Sequence, residues 1–209
     1  MILLKNIHKW GGVILLLAVF VMFNSEARAS DICIGDSTTI LVSVGGCQYS
    51  VIVCYSCAPY APTQMFKIFG YYKIDTSCVS NISEDKVLTE LSSEIADNLE
   101  IYFGGIINCD LTYFPCGSGN FSEWFVYELR CWQKYNNNGT IEYQASCNDG
   151  EHLCTTQYYY CFDGSNYQKT IRYQGFSGNP NYCPAKLSTI PDPSPGQTSE
   201  CGYVETLCD

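Results

Sequence analysis

Alternating apolar and polar positions predict a series of β-hairpins along the chain. Residues 38–44 alternate as one strand, Gly45-Gly46 supplies a two-residue turn that permits positive φ, and residues 47–54 return as the second strand. Aromatic and aliphatic side chains then recur at residues 64–74, which predicts a third strand. The first part of the chain is therefore expected to be mainly β.

Two further hairpins are predicted later in the chain. Residues 122–134 and 140–147 flank an Asn-Asn-Asn-Gly connection, and residues 155–162 and 167–173 flank Asp163-Gly164. Both connections consist of residues that tight turns favour.

One stretch, residues 83–99, has the period of an amphipathic helix. Four aliphatic side chains recur in it every four residues and form an apolar stripe. Ser83 is expected to cap its N-terminus, and Gly104-Gly105 is expected to end any continuation.

The chain opens with the three-part pattern of a secretory signal peptide at residues 1–29. A basic start precedes an apolar run at residues 11–23, and Ala27-Arg28-Ala29 places small residues where a signal peptidase needs them. That run is shorter than the roughly 20 residues of a membrane span. We expect an exported protein that is secreted or held at the cell surface, with no membrane span in its mature part.

Composition divides the exported part into three regions. We predict an N-terminal β-hairpin module with the helix at 30–108 and a C-terminal cysteine-rich hairpin module at 109–186. A Pro/Ser-rich tail with a terminal cysteine pair follows at 187–209, and its stretch 187–200 has the composition of a linker.

All fourteen cysteines follow the signal peptide, and a high, even count in an exported chain indicates a disulfide framework in an oxidising compartment. We expect every cysteine to be structural, although spacing alone does not determine which ones pair. The predicted disulfide-forming residues are Cys33, Cys47, Cys54, Cys57, Cys78, Cys109, Cys116, Cys131, Cys147, Cys154, Cys161, Cys183, Cys201 and Cys208.

A spacing of seven residues recurs between cysteines, as in Cys47/Cys54 and Cys154/Cys161. Because seven is odd, two such cysteines on a straight strand face opposite sides and are expected to bond to different neighbours. Similar strand and cysteine patterns follow both pairs, which suggests two diverged copies of one hairpin module. The alternative is coincidence among many cysteines.

The net charge of the chain limits the classes of molecule that it is expected to bind. The chain carries a net charge of −10 with its basic residues scattered singly, which argues against binding nucleic acid or anionic lipid. The expected partners are other extracellular proteins or glycans.

Cysteine and histidine chemistry both have structural explanations. Cys54-Tyr55-Ser56-Cys57 is a C-x-x-C motif, but it follows a predicted strand rather than opening a helix, so structural cystines are favoured over redox chemistry. His152 is the one imidazole after the signal peptide, and a triad would need it as base. It lies in a polar stretch and is expected to be an exposed loop residue.

Acidic residues give no defined site from sequence alone. A carboxylate pair for glycoside hydrolysis can form from residues distant in sequence. Residues 148–151 and 163–166 resemble fragments of calcium loops, but turn formation explains them better. We therefore assign no catalytic residue, no metal ligand and no cofactor.

Tyr158 and Tyr160 share one face of a predicted strand. They are the candidate ligand-contact residues if that face is exposed, and the favoured interpretation is that they pack in the core or across strands. Three acceptor patterns for N-glycosylation occur, at Asn81-Ile82-Ser83, Asn120-Phe121-Ser122 and Asn138-Gly139-Thr140.

These patterns predict a mainly β, disulfide-rich protein of antiparallel hairpins, in sandwich-like or irregular sheets, with one amphipathic helix near 83–99. The leading functional hypothesis is an exported structural or adhesive protein without catalytic activity. The alternatives are a secreted module that binds glycans or proteins through exposed tyrosines, and a secreted hydrolase.

Overall fold

The computed structural model describes residues 35–57, 64–109, 111, 114–145, 147, 152–178, 183 and 185–209. Residues 36–209 form one compact unit. The predicted signal peptide, Cys33 and the stretch 148–151 lie outside the described residues. The predicted fold class is confirmed: the protein is mainly β, built from antiparallel hairpins, and rich in disulfides.

The described residues contain nine strands and one α-helix. The strands are β1 (Asp36–Val44), β2 (Cys47–Ser56), β3 (Gln64–Lys73), β4 (Ser122–Leu129), β5 (Cys131–Asn137), β6 (Thr140–Gln144), β7 (His152–Phe162), β8 (Tyr167–Gly178) and β9 (Gly202–Tyr203). The helix α1 (Val87–Asp97) lies between a 3₁₀ turn (Glu84–Lys86) and a π-helical turn (Glu100–Ile106), and a second 3₁₀ turn covers Leu187–Thr189.

The sheet begins as β1-β2-β3 and then divides into two branches. The first half of β3 pairs in parallel with β4, and the sheet continues to β7 and β8. The second half of β3 pairs antiparallel with β6, and that branch continues to β5 and β9. The parallel β3–β4 pair requires a crossover connection, which the segment containing α1 supplies.

The hairpin predictions are confirmed for β1–β2, β5–β6 and β7–β8. In the first hairpin, Gly45 and Gly46 have φ of +60° and +81°, which a side chain would strain. The predicted strand at 122–134 is wrong in one respect, because it breaks at Arg130 into β4 and β5. The two pieces belong to different branches of the sheet.

The helix packs its apolar stripe into the core against β1. Val87, Leu91, Ile95 and Leu99 are all buried, as the period of four predicts, and Leu88 beside them is buried too. Ser83 is the residue before the first 3₁₀ turn, but its side chain makes no capping hydrogen bond, so that detail was wrong. The prediction that Gly104-Gly105 ends the helical segment was also wrong, because the π-helical turn continues through both glycines to Ile106.

The predicted linker at 187–200 is instead packed along β5. Leu187 is fully buried, and Asn136 N donates a hydrogen bond to Gln197 O while Ser199 N donates to Lys134 O. The stretch therefore pairs with the free edge of β5 and caps the core, because its backbone groups supply the hydrogen bonds that this edge needs.

The structure describes six disulfides, and in four of them one cysteine lies in a strand. The six are Cys47–Cys78, Cys57–Cys109, Cys116–Cys161, Cys131–Cys183, Cys147–Cys201 and Cys154–Cys208. None of these bridges joins cysteines seven residues apart, which confirms that expectation. The bridges give no support to the predicted module repeat, because Cys47 bonds to Cys78 whereas Cys154 bonds to Cys208 rather than to Cys183.

The disulfide-rich β fold is consistent with a protein that resides outside the cell, where such bridges persist. Within the described residues, every helix is too short or too polar to cross a membrane.

Candidate functional site

The branch β4-β7-β8 has one buried face and one half-exposed face. Along β7, buried and half-buried side chains alternate, so Tyr158 points to the core and Tyr159 points outward. Register places Phe125 of β4 opposite Gln157 of β7, which in turn lies opposite Tyr173 of β8. The outward face of these three strands is therefore one continuous surface.

Five aromatic side chains occupy this outward surface, which we call the aromatic face. They are Phe121, Phe125, Tyr127, Tyr159 and Tyr173. The Phe125 and Tyr127 rings are nearly parallel, with centroids 6.1 Å apart, and the Phe121 ring stacks on Tyr159 at 5.1 Å. Phe121 and Tyr173 are about half exposed, at 46% and 51%.

Gly175 allows the Tyr173 ring to lie along its strand. A Cβ atom added at Gly175 would come within 2.7 Å of the Tyr173 hydroxyl oxygen, so a larger residue would push the ring away from the sheet. The aromatic face is therefore flat at this point rather than ridged.

Polar groups lie between the rings. Gln157 donates a hydrogen bond through Nε2 to Glu123 Oε1, and Thr155 lies opposite Tyr127 on the same surface. On the neighbouring strand β3, Lys67 lies opposite Tyr127 with its Nζ 4.8 Å from the Phe69 ring centroid. Burial lowers the pKa of Lys67 to about 8, so this amine loses its charge in mildly alkaline solution.

Ring faces and hydrogen-bonding groups together suit a ligand with both C–H and hydroxyl groups. An aromatic ring carries negative charge on its face, which attracts C–H dipoles and cations. The carboxylate of Glu123, the amide of Gln157 and the hydroxyl of Thr155 supply acceptors and donors between the rings.

The sequence-based candidates Tyr158 and Tyr160 lie on the opposite, buried side. Each is only 2% exposed, their rings are 5.9 Å apart, and Tyr160 donates a hydrogen bond to Ala96 O at 2.9 Å. Burial raises the pKa of Tyr158 to about 12. Neither ring can stack on an external ligand. The burial of both side chains therefore fits the interpretation that they pack in the core and not the interpretation that they contact a ligand.

The Tyr160→Phe variant is expected to lose about 1 kcal/mol of unfolding free energy, because it removes a buried hydrogen bond to the helix. Tyr159→Phe, which removes an outward-facing hydroxyl on the next residue, should change stability by less than about 0.5 kcal/mol. Urea denaturation of both variants measures the difference. Equal values for the two variants would contradict the assignment of Tyr160 to the core.

His152 is buried in β7, so its predicted position in an exposed loop was wrong. Its side chain is 4% exposed and stacks on Phe176 at 4.6 Å, and its carbonyl oxygen accepts a hydrogen bond from Arg130 N. Burial and the nearby charge of Arg130 lower its pKa, while Asp209 opposes that change. The ring is a packed, uncharged side chain at neutral pH.

The C-x-x-C motif consists of structural cystines, as predicted. Cys57 bonds to Cys109 across the molecule, and Cys54 is also disulfide-bonded. The turn at 163–166 is likewise accounted for by its own hydrogen bonds. Asp163 Oδ1 accepts from Ser165 N and Asn166 N, and Oδ2 accepts from Gln168 Nε2.

Two pairs of neighbouring carboxylates in the described part of the chain meet around lysines. Glu84 and Asp192 both contact Lys134, and Asp85 and Glu205 both contact Lys186. Such pairs are neutralised by the amine, whereas glycoside hydrolysis needs two carboxyls that face a substrate. The described residues contain no cluster of three or more metal-ligating side chains.

Described residues line a small cavity and an open depression. One is small and lies among Leu99, Trp124 and Tyr160 on the buried side of the sheet. The other is an open depression of about 370 Å³ beside Cys116 and Phe162, where Asp163 is the one acidic side chain. The Asp163 carboxylate is already used within its own turn, so it does not mark a ligand site in this depression.

No protein-family model, no curated protein and no solved structure matches this chain. The aromatic face was missed from sequence because both sides of β7 carry tyrosines. The sequence did contain one signal. Thr155 and Gln157 lie on the same face of the strand as Tyr159, and because they are polar they favour an outward position for that face.

Proposed function

We propose that this protein is an exported adhesive protein that binds glycans through its aromatic face. The observation that carries the proposal is the set of five rings on one outward surface, with a carboxylate, an amide and a hydroxyl between them. The proposal joins the predicted adhesive role to a binding surface made of aromatic residues other than Tyr158 and Tyr160, the candidates named from the sequence.

Stacking and hydrogen bonding support this ligand class together. A sugar ring presents C–H groups on its faces and hydroxyls at its rim, which match ring faces and polar groups alternating across strands. A contact with an aromatic ring contributes about 0.5–1.5 kcal/mol. Several rings acting along an extended chain therefore give useful affinity although the surface has no deep cleft.

Charge favours a neutral glycan. The whole chain carries a net charge of −10, and Glu123 adds a negative charge at the aromatic face itself. An anionic polysaccharide would be repelled at long range. Lys67 is the one cation opposite Tyr127, and it is half-buried against Phe69.

A second candidate function is a contact between protein copies in an extracellular assembly. Leu41 of β1 and Ile52 of β2 are exposed on the same outward side of the sheet, which extends the aromatic face with aliphatic groups. Such apolar surface favours protein contacts. Sedimentation velocity at increasing concentration separates this candidate from a monomer that binds glycans.

The test is binding to a panel of neutral polysaccharides by the wild type and by Tyr127→Ala and Tyr159→Ala. Each substitution removes one ring and is expected to weaken binding roughly 2- to 10-fold. The matched control is Tyr72→Ala on β3, which lies opposite Ser50 and Glu142 on the other branch of the sheet. Equal losses in all three variants, or no binding by the wild type, would rule the proposal out.

A further inference from the structure

We propose that Asn81, Asn120 and Asn138 each carry an N-linked glycan when the chain is exported through a eukaryotic secretory pathway. Each begins an Asn-x-Ser/Thr pattern in which the middle residue is not proline. This modification concerns sugars attached to the protein rather than bound by it, although the glycan on Asn120 would lie next to Phe121 of the aromatic face.

The three acceptor side chains lie in exposed connections. Asn81 follows β3, Asn120 precedes β4, and Asn138 occupies the β5–β6 turn with a φ of +52°, a conformation that asparagine tolerates well. A large polar group at any of these positions points into solvent and leaves the core unchanged.

Other asparagines nearby use their amides within the fold. Asn98 Nδ2 donates to Glu94, Asn136 Nδ2 donates to Pro193 O, and Asn137 Nδ2 donates to Glu142. Each of these three lacks a hydroxyl residue two positions later. Asn81, Asn120 and Asn138 are all exposed, whereas the amides of these three other asparagines are engaged in structural hydrogen bonds.

Two of the acceptors lie beside exposed apolar side chains. Val79 is 91% exposed, two residues before Asn81, and Phe121 follows Asn120 directly. Attached glycans are bulky and solubilising, so a glycan on Asn81 would cover Val79, whereas a glycan on Asn120 would lie beside Phe121 of the aromatic face. The structure thereby gives the modification a physical role in keeping the exported protein dispersed.

The reaction joins the asparagine side-chain nitrogen to the first sugar of a lipid-linked oligosaccharide diphosphate. A bond forms between that nitrogen and the anomeric carbon, the bond from this carbon to the diphosphate oxygen breaks, and the amide loses one proton. For Asn120 the transfer must precede folding, because the Ser122 hydroxyl is buried and donates to Gln64 Oε1 at 3.0 Å.

The experiment expresses the full chain in a eukaryotic cell and compares its mass before and after treatment with an amide-cleaving glycosidase. Asn81→Gln, Asn120→Gln and Asn138→Gln are each expected to remove one glycan from the mass. The matched control is Asn137→Gln, which should remove none. Thr140→Ala should reproduce the loss at Asn138, whereas Thr140→Ser should retain the glycan.

A substitution that leaves the mass unchanged overturns the assignment at that asparagine. If a variant is not secreted, the same mass comparison is made on the chains retained in the cell. A wild-type chain that carries no glycan overturns the proposal as a whole, including when it fails to enter the secretory pathway. Polysaccharide binding is measured on the Asn120→Gln variant, which carries no glycan beside Phe121, and therefore tests the proposed function separately.

Discussion

Replacing Lys134 with methionine is expected to lower the free energy of unfolding by roughly 2–4 kcal/mol. The Lys134 side chain is 3% exposed, and its Nζ contacts Glu84 Oε1 at 2.8 Å, Asp192 Oδ1 at 3.0 Å and Ile190 O at 3.0 Å. Three acceptors thus match the three protons of the amine.

The loss follows from what remains when the amine is removed. Burial lowers the pKa of Lys134, but the hydrogen bonds and charges of Glu84 and Asp192 raise it by more. The pKa of Lys134 is therefore above its usual value. Methionine fills a similar volume but leaves two like-charged carboxylates facing each other without a cation. The packed stretch 187–200 would lose its strongest attachment to β5.

The matched control is Lys186→Met. Lys186 is 41% exposed, and its Nζ lies 3.6 Å from Asp85 Oδ2 and 3.7 Å from Glu205 Oε1, so its removal should cost at most about 1 kcal/mol. Guanidinium denaturation of both variants with disulfides intact gives the comparison. If Lys134→Met is no less stable than Lys186→Met, the central role of the buried amine is refuted.

Replacing Glu128 with glutamine is expected to stabilise the protein at pH 8 and to leave it nearly unchanged at pH 4. Glu128 is buried, and its Oε2 accepts a hydrogen bond from Leu207 N. Burial raises the pKa of this carboxyl from 4.5 to about 7, helped by the charge of Asp209. Glutamine keeps the acceptor without the charge.

The direction follows from proton binding. Between pH 4.5 and 7 the folded state holds a proton on Glu128 that the unfolded chain has lost, so the free energy of unfolding falls as pH rises through this window. The stabilising contribution of the Glu128 proton is complete below the pKa that the carboxyl has in the unfolded chain. It is absent above the pKa that the carboxyl has in the folded protein. The total change is about 3 kcal/mol.

The measurement is the difference in unfolding free energy between Glu128→Gln and the wild type at several pH values, because other groups cancel in that difference. Glu90→Gln, on the exposed side of α1, serves as the control and should show no such pH dependence. A difference in unfolding free energy that stays constant from pH 4 to pH 8 would show that the pKa of the Glu128 carboxyl is not raised.

Local patterns predicted most of the elements but not how they are arranged. Residues 36–54 and 155–173 contain both strands and a turn within a short stretch, so their hairpins follow from alternation and turn chemistry. The parallel pairing of β3 with β4 was missed. The predicted helix between these strands was the available signal, since parallel neighbours need such a crossover.

Tyrosines on both faces of β7 explain why the aromatic face was missed from the sequence. The inward positions of β7 include His152 and Thr156, and the outward positions include Leu153 and Tyr159, so the polar residues Thr155 and Gln157 are only a partial signal of which face is outward. The prediction of a linker at residues 187–200 was wrong for a different reason. Its Pro, Ser and Gly residues are typical of loops, yet here their backbone groups pair with the edge of β5.

Three predictions from the sequence remain predictions. They are the signal peptide at residues 1–29, the division at 30–108, 109–186 and 187–209, and the module repeat. N-terminal sequencing of the exported protein addresses the first, with Ser30 as the expected first residue.

The most direct test of the proposed function is to map where a bound polysaccharide contacts the protein. A neutral polysaccharide selected by the panel is titrated into isotopically labelled protein, and the chemical-shift changes are assigned to residues. The account predicts the largest changes at the aromatic face, in β4, β7 and β8, with Phe125, Tyr127, Tyr159 and Tyr173 foremost. Changes concentrated on the other branch of the sheet or along the tail would contradict it.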